Sequence, residues 1–372
     1  MQLTCKTLLG SPFYRITTPG IETSYTMDLL GSDMSGRTQD WRCWCTSLVV
    51  GGVLIASLQE HVFAQITPDN TLPNNSIVTP GGNTLNITGG TQAGGNLFHS
   101  FREFSVTTGG AASFNNAVDI QNIISRVTGG SVSNIDGLIR ANGTANLFLI
   151  NPNGIIFGQD ASLNIGGSFV ATTANALQFG NRGLFSATEK NIPSPLLTID
   201  PSALLFNQIN QNAAIQNNSV APAGKDPAGL NAFGVRVPDG KSLLLVGGNV
   251  SMDGGELNAF GGRVELGGLT QAGSVALGVD GDNLSLIFPE NVTRSEVSLT
   301  KAAIYVEGTG GGDIAVNARN LEILGESVLL AGIGQGLKFL IGSGKDRLKW
   351  TAGANSNLDA KDTDEHPCPQ LE

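Results

Sequence analysis

The stretch GGNVSMDGGELNAFGGRVELGG, residues 247–268, aligns without a gap with GGDIAVNARNLEILGESVLLAG, residues 311–332. Identities fall at both leading glycines, at Leu257 with Leu321, Gly261 with Gly325, Val264 with Val328, Leu266 with Leu330 and at the final glycine. A looser copy, GGSVSNIDGLIRANGTANLFLIN, begins at Gly129 with single-residue slips. Each copy reads strand, turn, strand, turn, strand, and a length of roughly 22 residues suits one coil of a parallel β-solenoid. In such a coil each short strand pairs with those above and below at about 4.8 Å, and inward Val, Ile and Leu stack into columns. A β-sandwich also has short strands and regular turns, but it gives no reason for two copies to keep a common register.

Composition agrees with that architecture. The chain has 372 residues, 50 of them glycine, and few aromatics, so its core rests on small side chains packed at regular intervals. Such a composition also describes disordered chains, but alternating runs such as SLLLV and RVELGGL recur throughout and argue for strands. The net charge of −10, with no clustered basic stretch, argues against a nucleic-acid partner.

The ends read differently from the middle. Ser47–Leu58, SLVVGGVLIASL, is the most continuous apolar run, preceded by Arg37 and Arg42 and followed by VFAQ. A charged segment, a short apolar core and small residues at Val62 and Ala64 predict a secretory signal within residues 1–64, cleaved between Ala64 and Gln65. A membrane anchor is the competing reading, but the run is short for a span and no stop-transfer charges follow it. Met34 offers a second start just before this segment. Cys43 and Cys45 fall in the signal, Cys5 before it and Cys368 near the end, which leaves Gln65–Pro367 without a cysteine. Exported proteins usually use disulfides, whereas a chain that stays unfolded through a second membrane gains from having none. Residues 65 to about 100, rich in Asn, Pro and Gly, fit an N-terminal cap over the first coil's edge. Residues 208–229 read as a polar loop, and 338–372 as an atypical or disordered tail, of the kind a truncated or frameshifted gene would add.

Inside the body, NLFLINPNGIIFG, Asn146–Gly158, breaks two apolar strands with Asn-Pro-Asn-Gly. Pro152 fixes φ, Asn153 tolerates unusual backbone angles and Gly154 accepts the exit angle, so the four residues form a corner whose Asn side chains satisfy backbone groups. Chemistry of other kinds finds little material. The acidic residues of the repeat copies sit at scattered offsets (Asp253, Glu256 and Glu265 in one, Asp313, Glu322 and Glu326 in the other) and read as solvated faces and turns rather than a catalytic cluster. His99, in NLFHSF, is the one histidine between the cleavage site and the tail and reads as edge or cap packing. One histidine and no cysteine make a zinc site implausible, and VDGDN at Val279–Asn283 reads as a plain turn. No catalytic residue, metal or cofactor is expected. Sequons at Asn86, Asn142 and Asn291 carry little meaning in so Asn-rich a chain.

The runs GGNLFHSFREFSV, NNAVDIQNIISRVTGGSVSNIDGLIRANGTANLFLINPNGIIFG and LNIGGSFVATTANALQF together resemble the filamentous-haemagglutinin-type N-terminal secretion domain of two-partner secretion exoproteins, over residues 65–337. The resemblance implies an all-β fold, a right-handed parallel β-helix with an N-terminal cap. It implies Sec export to the periplasm of a Gram-negative bacterium, then passage through an outer-membrane β-barrel transporter with POTRA domains to the surface or medium. Asn151, Pro152, Asn153, Gly154 and Ile155 match the family's NPNGI signature and are thereby implied in transporter recognition. A second signature, NPNL, is absent as such, and its nearest candidate is Ser133, Asn134, Ile135 and Asp136. The expected function is that of a non-enzymatic, adhesin- or haemagglutinin-like exoprotein with an unidentified receptor. The competing expectation is a surface β-helix that binds or cleaves polysaccharide, a class that usually needs aromatic grooves, whereas Tyr305 is the only Tyr or Trp from Gln65 to Leu337.

Overall fold

A computed structural model describes residues 65–332 except 191, 192, 209, 211, 212, 281 and 282, together with the backbone of short strands at 7–8, 11–12, 338–340, 348–351 and 357–360. The chain divides into two compact units, Met1–Glu60 and His61–Glu372. In the first, Thr7–Leu8 pairs antiparallel with Ser11–Pro12. The predicted signal run Ser47–Leu58 and Ala64 lie outside the described residues.

The second unit is an all-β parallel β-helix. Short strands stack because no strand of three to six residues can bury an apolar face alone, whereas a pile of them shares one interior. Three faces alternate along each coil. The first face stacks Asn96–Phe104, Asn122–Val127, Asn146–Ile150, Phe169–Thr172, Ser242–Gly247, Arg263–Gly268 and Asp313–Asn317, all in parallel register. The second runs from Ser133–Ile135 through Ile155–Phe157, Ala214–Asn217, Asn249–Asp253 and Glu296–Thr300 to Asn320–Leu324. The third is split into one stack from Thr84–Gly89 to Ser162–Asn164 and another from Val235–Arg236 to Val328–Leu330. Inward side chains form columns such as Leu97, Ile123, Leu147, Phe169, Leu243, Val264 and Ile314, each buried. Full burial contributes about 1.5–3 kcal/mol for each such side chain, which is how a chain poor in aromatics acquires its core. The double glycines have a matching reason: a Cβ on Gly268 would sit on the carbonyl oxygen of Gly247 one coil away.

The parallel stack ends in antiparallel pairs. At the N-terminal end Ile66–Pro68 pairs with the Phe101–Phe104 stretch, Ser76–Gly81 with Thr84–Gly89, and Thr91–Ala93 with Asn96–Phe98. These segments occupy the place of the expected cap. At the other end the three tail strands pair antiparallel with the last coil. The remainder of 338–372 lies outside the described residues.

Three expectations are corrected. The gap-free alignment is one face out of phase: Leu257 lies on the third face, in register with Ile304 and through it Leu329, while Leu321 lies on the second, in register with Val297 and through it Val250. The aligned stretches both begin with a double glycine and carry apolar residues at matching spacings, so different faces imitate one another in sequence. Residues 208–229 are not simply a polar loop, because Ala214–Asn217 is a second-face strand with Ile215 buried and Pro222–Lys225 starts an outer hairpin with Asn231–Phe233. Finally, Glu265 is buried rather than solvated.

The burial of Glu265 follows from an outer layer. Between the coil strands Phe169–Thr172 and Ala214–Asn217 the chain leaves the helix and forms Ala176–Gln178, Leu184–Ser186 and Ala203–Phe206, an antiparallel group. A later excursion, the hairpin Gly273–Asp280 with Asn283–Ile287, joins its edge. This sheet covers the outer side of the first face and encloses a second core, in which Phe98, Ile124, Phe148 and Val170 meet Leu177, Phe179, Phe185 and Leu204. Strands such as Asn122–Val127 and Ser242–Gly247 are therefore buried on both sides. A buried guanidinium holds the layers together. Arg126 donates from Nε to Ser100 Oγ at 2.7 Å, from Nη1 to Ser186 O at 2.7 Å and from Nη2 to Thr71 Oγ1 at 2.9 Å. It also lies 4.3 Å from the Phe185 ring centre. Burial pushes its pKa down to about 10, against the opposing charge of Asp69.

Candidate functional site: the NPNGI corner

Asn146–Ile150 belongs to the first face and Ile155–Phe157 to the second, so Asn151–Gly154 makes the corner between them. Asn151 is buried and bonds to the coils on both sides. Its backbone N–H donates to Thr172 O at 2.9 Å on one neighbouring coil. Its Nδ2 donates to Ser131 O at 3.0 Å and to Ser133 Oγ at 2.9 Å on the other. Its Oδ1 accepts from Asn153 N at 3.0 Å, the local bond by which an Asn side chain imitates a turn. Asn153 Nδ2 donates to Gly129 O at 2.7 Å, and Gly154 N donates to Asn151 O at 3.1 Å.

Gly154 has φ of +119°, where an L side chain is strained, and a Cβ there would lie 3.0 Å from Ala214 O. Pro152 and Asn153 are half-buried, and Ile155 is fully enclosed. The motif therefore splits into an interior part, Asn151, Gly154 and Ile155, and a rim, Pro152 and Asn153.

The second candidate stretch lies directly beside the first. Ser133 is in register with Ile155, Asn134 with Ile156 and Ile135 with Phe157. Ser133 and Ile135 point inward and are buried, Asn134 is exposed, and Asp136 is half-buried, accepting from Asp160 N at 3.0 Å and from the Thr108 hydroxyl. Residues 18 to 22 apart in sequence thus share one patch, in which the side chains of Asn151, Asn153 and Ser133 fix the corner. The arrangement can hold a register and offer a small rim; its one ionisable side chain, Asp136, serves as an acceptor within it. Gln65, at the other predicted position, is exposed, and its carbonyl accepts from Ser105 N at 2.9 Å.

His99 is buried with its ring centre 5.9 Å from Phe101 and 5.3 Å from Phe114, and its Nδ1 lies 3.0 Å from Ser76 Oγ. Burial pushes its pKa down to about 3, so it packs as a neutral ring. Among the described residues no group of three or more His, Cys, Asp or Glu is placed to hold a metal ion. Val279–Asn283 closes the outer hairpin, with residues 281 and 282 outside the described set.

Sequence reasoning missed the partners of this corner and the cluster of buried Arg126 with half-buried Asp69. Burial pushes the Asp69 carboxyl up, but hydrogen bonds from Thr128, Ser100 and Thr71 outweigh it and hold the carboxyl below its ordinary value. It also missed Asn96, Asn122 and Asn146, which stand in register on the first face. Their signal was present, since NLF, NII and NLF each open a first-face strand with Asn before two apolar residues.

Comparison with known proteins places most of the chain in a family. The family described as TPS secretion domain matches residues 64–316. A heme/hemopexin-binding protein of Haemophilus influenzae (strain ATCC 51907 / DSM 11121 / KW20 / Rd) is 49% identical over 47 residues, 13% of this chain and 5% of that relative. Among solved structures, the HMW1 secretion domain from Haemophilus influenzae is similar at 18% identity and a TM-score of 0.41, over 73% of this chain and 72% of that one. The filamentous hemagglutinin secretion domain is similar at 15% identity and a TM-score of 0.33, over 69% and 96%. With the family match spanning 64–316 of 372 residues, the chain belongs to the TPS secretion domain family.

Proposed function

We propose that residues 65–337 are the export-directing domain of an adhesin- or haemagglutinin-like exoprotein, recognised by an outer-membrane β-barrel transporter with POTRA domains. In this reading residues 1–64 carry the chain through the Sec machinery and are removed between Ala64 and Gln65. The body crosses the periplasm unfolded and forms its coils outside a Gram-negative cell, and 338–372, whose strands pair antiparallel with the last coil, are not needed for recognition. The domain acts by being recognised and by folding, without catalysis. Sequential coils suit that task, because each adds parallel hydrogen bonds and apolar burial to the one before.

The observation that carries the reading is the family match together with the split of its NPNGI corner into interior and rim. Asn151 and Ile155 are enclosed once the coils stack. A transporter that reads their side chains meets them before that happens, and a transporter that meets the folded coil reaches Pro152 and Asn153.

The test is release of the full chain from a Gram-negative host with and without a partner transporter. Wild type is compared with Asn151→Ala plus Asn153→Ala and with Ile215→Ala, which weakens an adjacent coil outside both candidate stretches. Transporter-dependent release lost in the Asn pair and kept in Ile215→Ala supports recognition through the corner. Equal release of all three removes recognition from the motif and leaves it a corner. Release that ignores the transporter refutes the export reading.

A further inference from the structure

The outer side of the first face carries a continuous polar column. Asn146 Nδ2 donates to Asn122 Oδ1 at 3.0 Å, and Asn122 Nδ2 donates to Asn96 Oδ1 at 2.9 Å. In the other direction Ser168 N donates to Asn146 Oδ1 at 2.8 Å, Ser242 N to Ser168 Oγ at 2.9 Å, and Leu284 N to Ser242 Oγ at 2.9 Å. The column therefore crosses five coils and ends on the outer layer at both extremes. At the near end Asn96 Nδ2 donates to Leu197 O at 2.8 Å and Ile199 O at 2.7 Å, and Asn122 Nδ2 donates to Asp200 Oδ1 at 3.0 Å. At the far end Leu284 is held by Ser242, and Leu286 N donates to Glu265 Oε1 at 3.1 Å.

These contacts fall into two groups that need different parts of the chain. The near group is complete within residues 96–200. The far group needs residues 242–286, and the hairpin it holds lies at the edge of a sheet whose other three strands already pair with one another. Buried amide and hydroxyl groups without partners are costly, so the near group has reason to close as soon as its own residues are present.

We propose that the polar column is a pair of separable latches, so that the outer sheet docks in two steps: residues 176–206 onto the first coils through Asn96 and Asn122, then the hairpin 273–287 through Ser242 and Glu265. In a chain that emerges N-terminus first, as the export reading has it, the first latch covers the outward apolar column of Phe98, Ile124 and Phe148 before the hairpin exists outside. The two-latch claim itself concerns the folded chain and stands or falls without a transporter.

Amide hydrogen exchange on the full chain tests it, read at peptides spanning 194–202 and 283–288. Losing one net hydrogen bond speeds local opening about fivefold. Asp200→Ala, at an exposed residue, removes only its bond with Asn122 and is expected to speed 194–202 about fivefold with 283–288 unchanged. Asn122→Ala is expected to speed the same peptide by about tenfold or more, and Ser242→Ala to act on 283–288 alone. Any of these variants that loosens both peptides by a similar factor overturns the proposal, as does an unchanged 194–202 in both Asp200→Ala and Asn122→Ala. Because Asp200 is exposed, the result stands even if Asn122→Ala fails to fold.

Discussion

Asn151→Ala separates the corner's interior from its rim. The side chain makes four hydrogen bonds, two from Nδ2 to Ser131 O and Ser133 Oγ and two to Oδ1 from the backbone and side-chain nitrogens of Asn153. Net contributions of about 1 kcal/mol for each of the three bonds that water does not replace, with about 1 kcal/mol more for the orphaned Ser133 hydroxyl, give a loss of about 4 kcal/mol. Ser133 is fully buried, so water does not reach its hydroxyl, whereas Ser131 is exposed and water replaces the lost donor there. Asn153→Ala removes two bonds at a half-buried site and is expected to cost about 1 kcal/mol. Equilibrium denaturation of the purified domain, with circular dichroism confirming β structure, measures both. Equal losses, or a larger loss at Asn153, would refute the reasoning, because they would mean that burial and the inter-coil bonds do not set the cost.

Two further predictions follow from the buried ionisable groups. His99 is neutral in the fold with its pKa pushed down to about 3, whereas the unfolded chain binds a proton near the ordinary value of 6.5. Its contribution is therefore intact above pH 6.5 and is lost as pH falls from there toward the folded value, about 2 kcal/mol by pH 5. Denaturation of His99→Leu at pH 7 and pH 5 should show a pH dependence smaller by about that amount; an unchanged dependence would show that His99 is not the titrating group. Arg126→Met is expected to cost about 3 kcal/mol, because Ser186 O and the Asp69 cluster lose a buried cation. Asp69→Asn should then cost less in the Arg126→Met background than in wild type, and a double-mutant cycle with no coupling would contradict the cluster.

Much of the helix was legible because its physics is local. Glycine-bounded strands such as Asn249–Asp253 alternate buried and exposed residues, and the corner residues Asn151–Gly154 have the backbone freedom and side-chain oxygens that a corner demands. The face assignment of the two long copies was not legible, since Val264 and Val328 sit in equivalent sequence settings on different faces. The outer sheet left its trace in unbroken runs such as NIISRV, where every position is buried and alternation fails. Glu265 misled for the same reason: RVELGG reads as one buried and one wet side until the hairpin that follows it folds back over the wet one. Ile215 carries the strand Ala214–Asn217 almost alone in polar surroundings, which is too weak a pattern to see.

At the candidate site, the corner and its hydrogen-bonding Asn side chains follow from residue types, whereas the burial of Asn151 depends on Ser131 and Ser133 one coil away. Residue chemistry gives the turn, and only the coil register shows which of its atoms remain reachable.

The measurement that bears most directly on passage through the transporter before folding is an inter-coil staple. Asn134 and Ile156 are register partners on the outward side of the second face, at a separation of about 4.8 Å that suits a disulfide. With a transporter present and Cys368 replaced by Ser, Asn134→Cys plus Ile156→Cys should be released normally under reducing conditions and be retained in the periplasm under oxidising ones, while each single variant is released in both. Full release of the stapled chain, with the disulfide shown to form before exit, would contradict export of an unfolded chain.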